Sequence, residues 1–486
     1  MPPDDALLAF AASLAGPDRI AALRAGIVGE GIEIPGPFGP RKLVYADYVA
    51  SGRALQQVEA FIAGSVLPYY ANSHTEASYC GAYITRLRSA ARAAIARLCG
   101  ADDRFATVFV GSGATAGINR LVSLFGIDEA RRAGRKTVVL IGPYEHHSNI
   151  LPWRESGADV IEIAEAATGG PDLLALEAAL IEAGPQALKI GAFSAASNVT
   201  GIVTDAEAVT RLLKRHGALA IWDYAGGGPY LPIDVCAGTD AGKDAVVVSP
   251  HKFPGGPGAS GVMIVRKEAV TRARPVQAGG GTVRFVSPWD HSYSTDIAVR
   301  EEAGTPNVVG DIRAALAFIV KEAIGEAFMD RRHAELRRRA IETWSKNPNI
   351  EILGNPNAEH ALPIFSLRIC DVRSGDSIHQ QLFTRMLSDC YGIQARGGCA
   401  CAGPYAHRLL GIDRRASEAL HAAIISGDEL RKPGWTRLNL SALIDDAKAD
   451  FIINAVDSLA ADPYPMIDSY RVDSAAARFI PLGDAA

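Results

Sequence analysis

The sequence predicts an α/β protein with a mainly parallel sheet and helices on both of its faces. Short apolar runs, which are typical of strands buried on both faces, recur between residues 106 and 248 and alternate with helical segments. This alternation predicts strand–helix–strand units and therefore parallel strand pairing. Polar or ionisable residues follow most of these strands, at the sheet edge where such proteins bind ligands.

Six strands are predicted, each a run of mostly small or branched apolar residues. They are Ala106–Val110, Lys136–Ile141, Val160–Ile163, Leu188–Phe193, Ala218–Trp222 and Ala245–Val248. A helix-periodic segment runs from Ser78 to Leu98. The capping box Thr204–Glu207 starts a helix that ends at His216-Gly217, and a further helix runs from Pro171-Asp172 to Ala183-Gly184.

The length of 486 residues indicates more than one domain. We expect residues 1–42 to form an N-terminal arm that packs on the smaller domain. Residues 43–308 are expected to form the large domain, and residues 309–486 a small α+β domain. The small domain is predicted from helices at Ala314–Phe328 and Arg331–Trp344 and from strands at Ile364–Ile369, Gly392–Ala395 and Arg437–Leu440.

Composition argues against several functional classes. The 49 Lys and Arg residues against 54 Asp and Glu residues give a net charge of −5, which is no basis for binding nucleic acid or an anionic membrane. No apolar run reaches the roughly 20 residues of a membrane span, and the sequence from Met1 to Asp5 lacks the positive region of a signal peptide. Seven scattered cysteines favour reduced thiols and a cytoplasmic location.

A lysine follows the last of the six strands. In the stretch from Ala245 to Gly258, the strand leads directly into Ser249-Pro250-His251-Lys252 and then into a glycine- and proline-rich loop. A poorly solvated lysine favours the neutral amine, which is the form that attacks a carbonyl and forms a Schiff base. Taken alone, the stretch is equally compatible with a surface lysine at a strand end.

Residues after other strands supply the remaining parts of a cofactor site. Gly111–Thr115 opens a helix whose N–H groups can hold an anion, and Ser249 and His251 can reach the same anion. His146 offers a flat ring for stacking, while Asp223 is a buried carboxylate that needs a positive partner. A phosphate cradle, a stacking ring, a buried acid and an amine are the four groups that pyridoxal 5′-phosphate (PLP) requires.

No metal site is predicted. His146 and His147 are adjacent residues leaving a strand, so their side chains point apart, and no acidic partner is near them in sequence. Cys399 and Cys401 lack the second pair of ligands that a structural zinc site requires.

The chain resembles class V aminotransferase-fold enzymes of the cysteine desulfurase and selenocysteine lyase type over roughly residues 43–460. The strongest segments are Glu145–Trp153, Ser197–Gly201, Ser249–Lys252 and Glu302–Asn307. The resemblance implies a PLP-dependent transferase fold. The large domain would contain a mainly parallel sheet, of the seven-stranded type, flanked by helices. A smaller α+β domain would follow at the C-terminus.

The resemblance also implies roles for cofactor-binding residues. Lys252 would form the Schiff base, Asp223 would pair with the pyridine nitrogen, and His146 would stack on the ring. Asn198 would lie near the ring oxygen. Thr305 would reach the phosphate of the neighbouring subunit's cofactor, which implies a homodimer. The phosphate would be held by Ala114, Thr115, Ser249 and His251.

Two segments of the small domain match the family in the same way. Arg396–Ala402 resembles the segment in which a nucleophilic cysteine follows an arginine by five residues, and Cys401 is in register. Arg437 resembles the arginine that binds the substrate carboxylate, a role that suits a planar guanidinium. Lys252, Cys401 and His146 are thus the predicted catalytic residues, and the choice between Cys401 and Cys399 stays open. The predicted substrate-binding residues are Arg396, Arg437 and Asn198.

The implied reaction is the conversion of cysteine to alanine with a persulfide left on the enzyme, or the related selenocysteine lyase reaction. A sulfur-acceptor protein would be a further partner. Gly226 stands where related desulfurases have a glutamine, and residues 409–433 form a longer stretch than is typical, so the substrate stays open. The alternatives are an aminotransferase or another PLP lyase or epimerase acting on a different amino acid, and a non-catalytic scaffold.

Overall fold

The computed structural model describes residues 3–73, 75–372, 375–474 and 476–482. The chain forms two compact units. Unit 1 comprises Met1–Val28, Ser51–Ala196 and Thr204–Glu326, and unit 2 comprises Gly29–Ala50, Ser197–Val203 and Ala327–Ala486. In the part of the chain that the structure describes, no helix is both long and apolar enough to cross a bilayer.

The secondary-structure elements are numbered in chain order. The helices are α1 (Pro3–Ser13), α2 (Arg19–Ala25), α3 (Gln56–Phe61), α4 (Tyr79–Leu98), α5 (Gly113–Leu124), α6 (Ile127–Arg132), α7 (Leu151–Glu155), α8 (Leu173–Ala183), α9 (Ala206–Arg215), α10 (Ile297–Glu301), α11 (Val308–Ile324), α12 (Glu326–Trp344), α13 (Gln380–Tyr391), α14 (Gly403–Leu409), α15 (Arg414–Ile425), α16 (Asp446–Ala461) and α17 (Tyr464–Ile467).

The strands range from two to seven residues. They are β1 (Glu33–Ile34), β2 (Arg41–Lys42), β3 (Val44–Tyr45), β4 (Phe105–Val110), β5 (Thr137–Ile141), β6 (Asp159–Glu162), β7 (Leu188–Ser194), β8 (Leu219–Asp223), β9 (Ala245–Val248), β10 (Gly261–Arg266), β11 (Val283–Val286), β12 (His291–Tyr293), β13 (Ile350–Ile352), β14 (Ile364–Cys370), β15 (Ser377–Ile378), β16 (Ile393–Gln394), β17 (Arg396–Gly398), β18 (Trp435–Asn439), β19 (Tyr470–Asp473) and β20 (Arg478–Pro481).

Unit 1 is built on a seven-stranded sheet with the order β4-β10-β9-β8-β7-β5-β6. Strands β9, β8, β7, β5 and β6 pair in parallel, whereas β10 pairs antiparallel with both β4 and β9. The prediction of a mainly parallel sheet is confirmed, and all six predicted strands are present. The seventh strand, β10, was not predicted, because it follows a glycine-rich loop instead of a helix and so breaks the alternation of strands and helices.

The packing of unit 1 explains why its strands are apolar on both faces. Strands β4, β5 and β9 are buried along their whole length, and α5 lies against β9 and β10. A Cβ atom at Gly117 of α5 would lie 2.7 Å from Val247 Cγ1, so a glycine allows this helix to approach the sheet closely.

The predicted N-terminal caps of α8 and α9 are confirmed, with a shift of one residue at α9. Asp172 caps α8 by accepting hydrogen bonds from the N–H groups of Leu174 and Ala175, as the sequence predicts. The residue that caps α9 is Asp205 and not Thr204, because the Asp205 carboxylate accepts from Ala208 N at 2.9 Å. The Thr204 hydroxyl instead donates to a backbone carbonyl oxygen at the end of β7.

The two units divide the chain differently from the predicted domain limits after residues 42 and 308. Helix α1 packs on α4 and α11, so the first 28 residues belong to unit 1 and not to the smaller unit. Helix α11 is buried over most of its length against α4, and it therefore extends unit 1 beyond residue 308. Residues 29–50, by contrast, belong to unit 2.

Unit 2 contains a sheet with the order β13-β14-β18-β17, in which β15 also pairs with β14. The predicted strand at 392–395 corresponds to β16 alone, and the next strand, β17, begins just after it and was not predicted. Strand β16 pairs in parallel with β3, and β17 pairs antiparallel with β18. The core of the unit includes Trp344, Phe365 and Phe383, which are buried with residues from α16.

A glycine pair tests the packing at the start of α5. An alanine Cβ at Gly113 (φ +60°) would lie 2.7 Å from Ser249 Oγ and 3.0 Å from His251 Cε1, whereas Gly134 (φ +70°) has no atom within 4 Å of such a Cβ. Both alanine variants should lose about 1 kcal/mol to the left-handed backbone. We expect Gly113→Ala to lose about 1–3 kcal/mol more in guanidinium unfolding, because the new methyl group overpacks the turn. Equal losses would contradict the packing described.

Candidate active site

Lys252 lies immediately beyond β9 in unit 1. Residues Pro250–Lys252 form a single 3-10 turn, in which Lys252 N donates to Ser249 O at 3.0 Å. The Lys252 side chain is partly buried, and it lies close enough to Asp223 for its charge to oppose the rise in the Asp223 pKa that burial causes. The structure thus brings the predicted amine and the predicted carboxylate together.

Asp223 ends β8 and is buried. Its Oδ1 atom accepts a hydrogen bond from Ala225 N at 2.7 Å. Burial raises the pKa of this carboxyl group above its usual value, because a desolvated carboxylate is destabilised. A cationic N–H donor would offset that cost, which is the interaction expected of a pyridinium nitrogen.

A second buried carboxyl group, Glu145, was not predicted as part of the site. It accepts hydrogen bonds from Ser194 N at 2.8 Å, from Ser194 Oγ at 2.6 Å and from Asn149 Nδ2 at 2.5 Å. Burial raises the pKa of Glu145 to about 7, and the charge of Asp223 adds to the rise. Ser194 is the residue that pairs with Asp223 across β7 and β8. Glu145 lies in the loop that follows the buried strand β5, and this position was the sequence signal for it.

Several of the residues that were predicted to hold the phosphate lie together where α5 begins. Ala114 N donates to Ser249 Oγ at 2.9 Å, and Gly113 packs directly against Ser249 and His251. Burial lowers the pKa of His251, and the charge of Lys252 lowers it further. A backbone N–H, a hydroxyl group and an imidazole therefore meet at the N-terminus of a helix, which suits an anion.

His146 and Thr115 are connected through one intervening residue, Ser148. Thr115 Oγ1 donates to Ser148 Oγ at 2.7 Å, and Ser148 N donates to His146 Nδ1 at 3.1 Å. The bond to the backbone N–H makes Nδ1 of His146 an acceptor and restricts the orientation of its ring.

Thr305 lies exposed in the segment between α10 and α11. The segment is anchored by Glu302, whose carboxylate accepts from Arg92 Nη1 at 2.7 Å, from Phe109 N at 2.7 Å and from Arg88 Nη2. Burial alone would raise the pKa of Glu302, but the two arginines hold it below its usual value. The anchored segment presents Thr305 at the surface of unit 1.

In unit 2 the two arginines that were predicted to bind the substrate share one carboxylate, that of Asp47. Arg437 Nη2 donates to Asp47 Oδ1 at 3.0 Å, and Arg396 Nε donates to Asp47 Oδ2 at 3.0 Å. The register of β17 and β18 places Arg396 directly opposite Arg437. Asp47 was not predicted as a site residue, and the only local signal was an acidic residue two positions after the short strand β3.

Asn198 joins this arrangement to the turn that carries the predicted nucleophile. Its backbone carbonyl oxygen accepts from Arg437 Nη1 at 3.2 Å, and its Nδ2 donates to Ala400 O at 2.9 Å. Ala400 and Cys401 have φ values of +54° and +55°, which are unusual for residues other than glycine. Cys401 is exposed at the end of this turn, whereas Cys399 is partly buried.

The longer stretch at residues 409–433 contains α15. Leu410, Ile412 and Leu420 of this stretch line a cavity of about 390 Å³ together with residues of β14 and β18. Among the described residues, no group of three or more His, Cys, Asp or Glu side chains is placed to hold a metal ion.

The chain belongs to the class-V aminotransferase family, since the family model described as Aminotransferase class-V matches residues 44–421. A probable cysteine desulfurase from Vibrio cholerae is 31% identical over 369 residues, which cover 74% of this chain and 85% of that protein. A probable cysteine desulfurase from Streptomyces coelicolor is 28% identical over 396 residues, covering 80% of this chain and 90% of that one.

Solved structures show the same fold. The apo cysteine desulfurase of Thermococcus onnurineus matches with a TM-score of 0.70 at 22% identity, over 86% of this chain and 94% of that one. The cysteine desulfurase CsdA of Escherichia coli matches with a TM-score of 0.68 at 23% identity, over 90% of this chain and 98% of that one. The predicted PLP-dependent transferase fold is confirmed.

Differences in exposure predict the order in which thiols react. Cys401 is exposed, whereas Cys99 is fully buried and burial raises its pKa to about 12. In the native protein at about neutral pH, we expect iodoacetamide to alkylate Cys401 first and Cys99 last. The two rates should differ by a factor of about 100 or more. Peptide mapping by mass spectrometry measures both rates in one sample. Similar rates would show that the turn at Cys401 is not open to reagents.

Proposed function

We propose that this chain is a PLP-dependent cysteine desulfurase, which converts cysteine to alanine and retains the sulfur as a persulfide on Cys401. The observation that carries the proposal is the exposed Cys401 thiol, which lies on a turn with unusual backbone geometry five residues after Arg396. An exposed thiol is open to a substrate and, afterwards, to a sulfur acceptor. Selenocysteine is the related substrate that the same arrangement suits.

The residues of unit 1 fit the cofactor. Asp223 is a buried carboxylate whose raised pKa reflects a need for a positive partner, and a pyridinium N–H supplies one. In the proposal Lys252 would hold the cofactor through Nζ, Asp223 would pair with the ring nitrogen, and His146 would stack on the ring. The phosphate is assigned to Ala114, Thr115, Ser249 and His251. When bound, PLP withdraws the negative charge that develops on the substrate Cα.

The proposed work of the chain's own residues begins with substrate binding. Arg437, Arg396 and Asn198 hold the amino acid, with the carboxylate on the guanidinium of Arg437. The Lys252 amine then removes the Cα proton and returns a proton later.

Cys401 carries the sulfur transfer. Its sulfur attacks the substrate sulfur, so the substrate C–S bond breaks as the S–S bond of the persulfide forms. Cysteine and the Cys401 thiol thus become alanine and a Cys401 persulfide, with no external oxidant or reductant.

The proposal includes a cytoplasmic homodimer and a sulfur-acceptor protein. Support for a second copy comes from the exposed Thr305 and from the hairpin of β11 and β12, which exposes Phe285, Val286 and Trp289 to solvent. The Trp289 side chain is 90% exposed, and apolar surface of this kind is typical of an interface.

Substitution of the two neighbouring cysteines tests the nucleophile. We expect Cys401→Ser to lower sulfide release from cysteine by about 100-fold or more, because no thiol accepts the sulfur. The variant should keep the visible absorbance of the cofactor. The matched variant Cys399→Ser should stay close to the wild type. The readout is intact-protein mass spectrometry after incubation with cysteine, in which a reductant-sensitive gain of sulfur maps to Cys401.

The same experiment addresses the alternative reaction. Gly226 and α15 are the features in which this chain departs from related desulfurases, and they favour a different amino acid. Release of sulfide by Cys401→Ser at the wild-type rate would contradict the desulfurase proposal. Conversion of the bound cofactor to its amine form, with a keto acid as product, would support an aminotransferase.

The buried carboxylate gives an independent test. We expect Asp223→Asn to reduce turnover by about 100-fold or more, because a neutral amide cannot offset the charge of a pyridinium nitrogen. Asp172→Asn is the control, since asparagine also caps a helix and Asp172 has no proposed part in the reaction. Steady-state kinetics and thermal unfolding of both variants separate lost chemistry from lost stability. Unchanged turnover in Asp223→Asn would remove the assigned role.

A further inference from the structure

Asp47 lies between the two arginines that are proposed to bind the substrate. It is 8% exposed, and each of its two oxygens accepts from a different guanidinium at 3.0 Å. The side chain of Arg437 is 4% exposed and that of Arg396 is 51% exposed. One carboxylate therefore serves one buried and one half-exposed cation.

The backbone of unit 2 holds Asp47 in this position. Asn439 N at the end of β18 donates to Ala46 O at 2.8 Å, and Val49 N donates to Asn439 Oδ1 at 3.1 Å. The segment around Asp47 is thus bound to the strand that carries Arg437. Hydrogen bonds thus hold the backbone on both sides of Asp47. The Asp47 side chain therefore loses less entropy when it pairs, and this favours a defined geometry.

The charges of the cluster match an amino acid with a single carboxylate. Two guanidinium groups and one carboxylate leave a net charge of +1, which one carboxylate of a ligand neutralises. Without Asp47 the net charge would be +2, and a ligand with two carboxylates would be the better match. Charge complementarity of this kind governs specificity more than it governs affinity.

We propose that Asp47 is a specificity-determining residue, which restricts the clamp formed by Arg396 and Arg437 to ligands with one carboxylate. It also positions Arg437, whose plane is fixed through Asp47 on one nitrogen and through Asn198 O on another. The inference rests on the proposed function in one respect, namely that Arg437 receives the carboxylate of the substrate. It adds a residue and a preference that the resemblance to desulfurases does not assign.

The test compares the binding of two simple anions to the holoenzyme. Propionate carries one carboxylate and succinate carries two, and isothermal titration calorimetry at constant ionic strength measures both dissociation constants. We expect Asp47→Asn to shift the ratio of these constants at least tenfold towards succinate. We expect Arg396→Gln, which leaves a net charge of zero, to shift it in the opposite direction.

The double variant Asp47→Asn/Arg396→Gln restores the net charge of +1. We expect its ratio to return to within about threefold of the wild type, which a purely structural role of Asp47 does not predict. The double variant also leaves one cation in the cluster, whereas Asp47→Asn leaves two. The double variant therefore still tests the proposal if Asp47→Asn fails to fold. Asp389→Asn is the matched control, because Asp389 is 6% exposed and pairs with Arg385 at 2.5 Å.

The outcomes for the two proposals are distinct. A ratio that stays at the wild-type value in Asp47→Asn, or that does not return in the double variant, overturns the role of Asp47 whether or not sulfide is released. The expected shifts support that role even if the wild type releases no sulfide from cysteine, a result that would overturn only the desulfurase reaction. A shift of the same size in Asp389→Asn would also overturn the role of Asp47, since the effect would then be common to any buried carboxylate.

Discussion

The structure depends on the burial of ionisable side chains at the carboxyl ends of apolar strands. In unit 1, the strand residues of β8 and β9 exclude water from Asp223, and burial raises its pKa. The charge of Lys252 offsets part of that cost, and Glu145 adds a second carboxyl group with a raised pKa. Such groups are costly to a fold, so their concentration at one edge of a sheet is typical of a functional site.

In unit 2 the cost of burying a charged side chain is offset by direct ion pairing. The guanidinium of Arg437 is buried with its counter-charge, Asp47, and a carbonyl oxygen of Asn198 accepts from it as well. Removing one member of such a group leaves an uncompensated charge, which costs more than the pair contributes. The pairing also links the arginines to Ala400, and thereby to the turn on which Cys401 is exposed.

Much of the fold could be predicted because its signals are local. Six of the seven strands of the large sheet and the caps of α8 and α9 follow from apolar runs and from residues at helix ends, with a shift of one residue at the α9 cap. Strand β10 was not predicted. It pairs antiparallel with its neighbours and needs no crossover helix, so the alternation of strands and helices does not indicate it. The roles of Lys252, Asp223 and His146 were predicted from the residues that follow the strands and from the family resemblance, and that of Cys401 from the resemblance alone. All four remain predictions.

By itself, the sequence determined the class of fold, the family and the local order of groups such as Ser249, His251 and Lys252. These features depend on residues near one another along the chain, where periodicity and capping act. Only the tertiary structure decided that Asp47 pairs with Arg396 and Arg437, which lie 349 and 390 residues away. No local pattern encodes that contact, because it requires β3 to pair with β16 and β17 to pair with β18, and strand pairing over such distances is set by the packing of the whole unit.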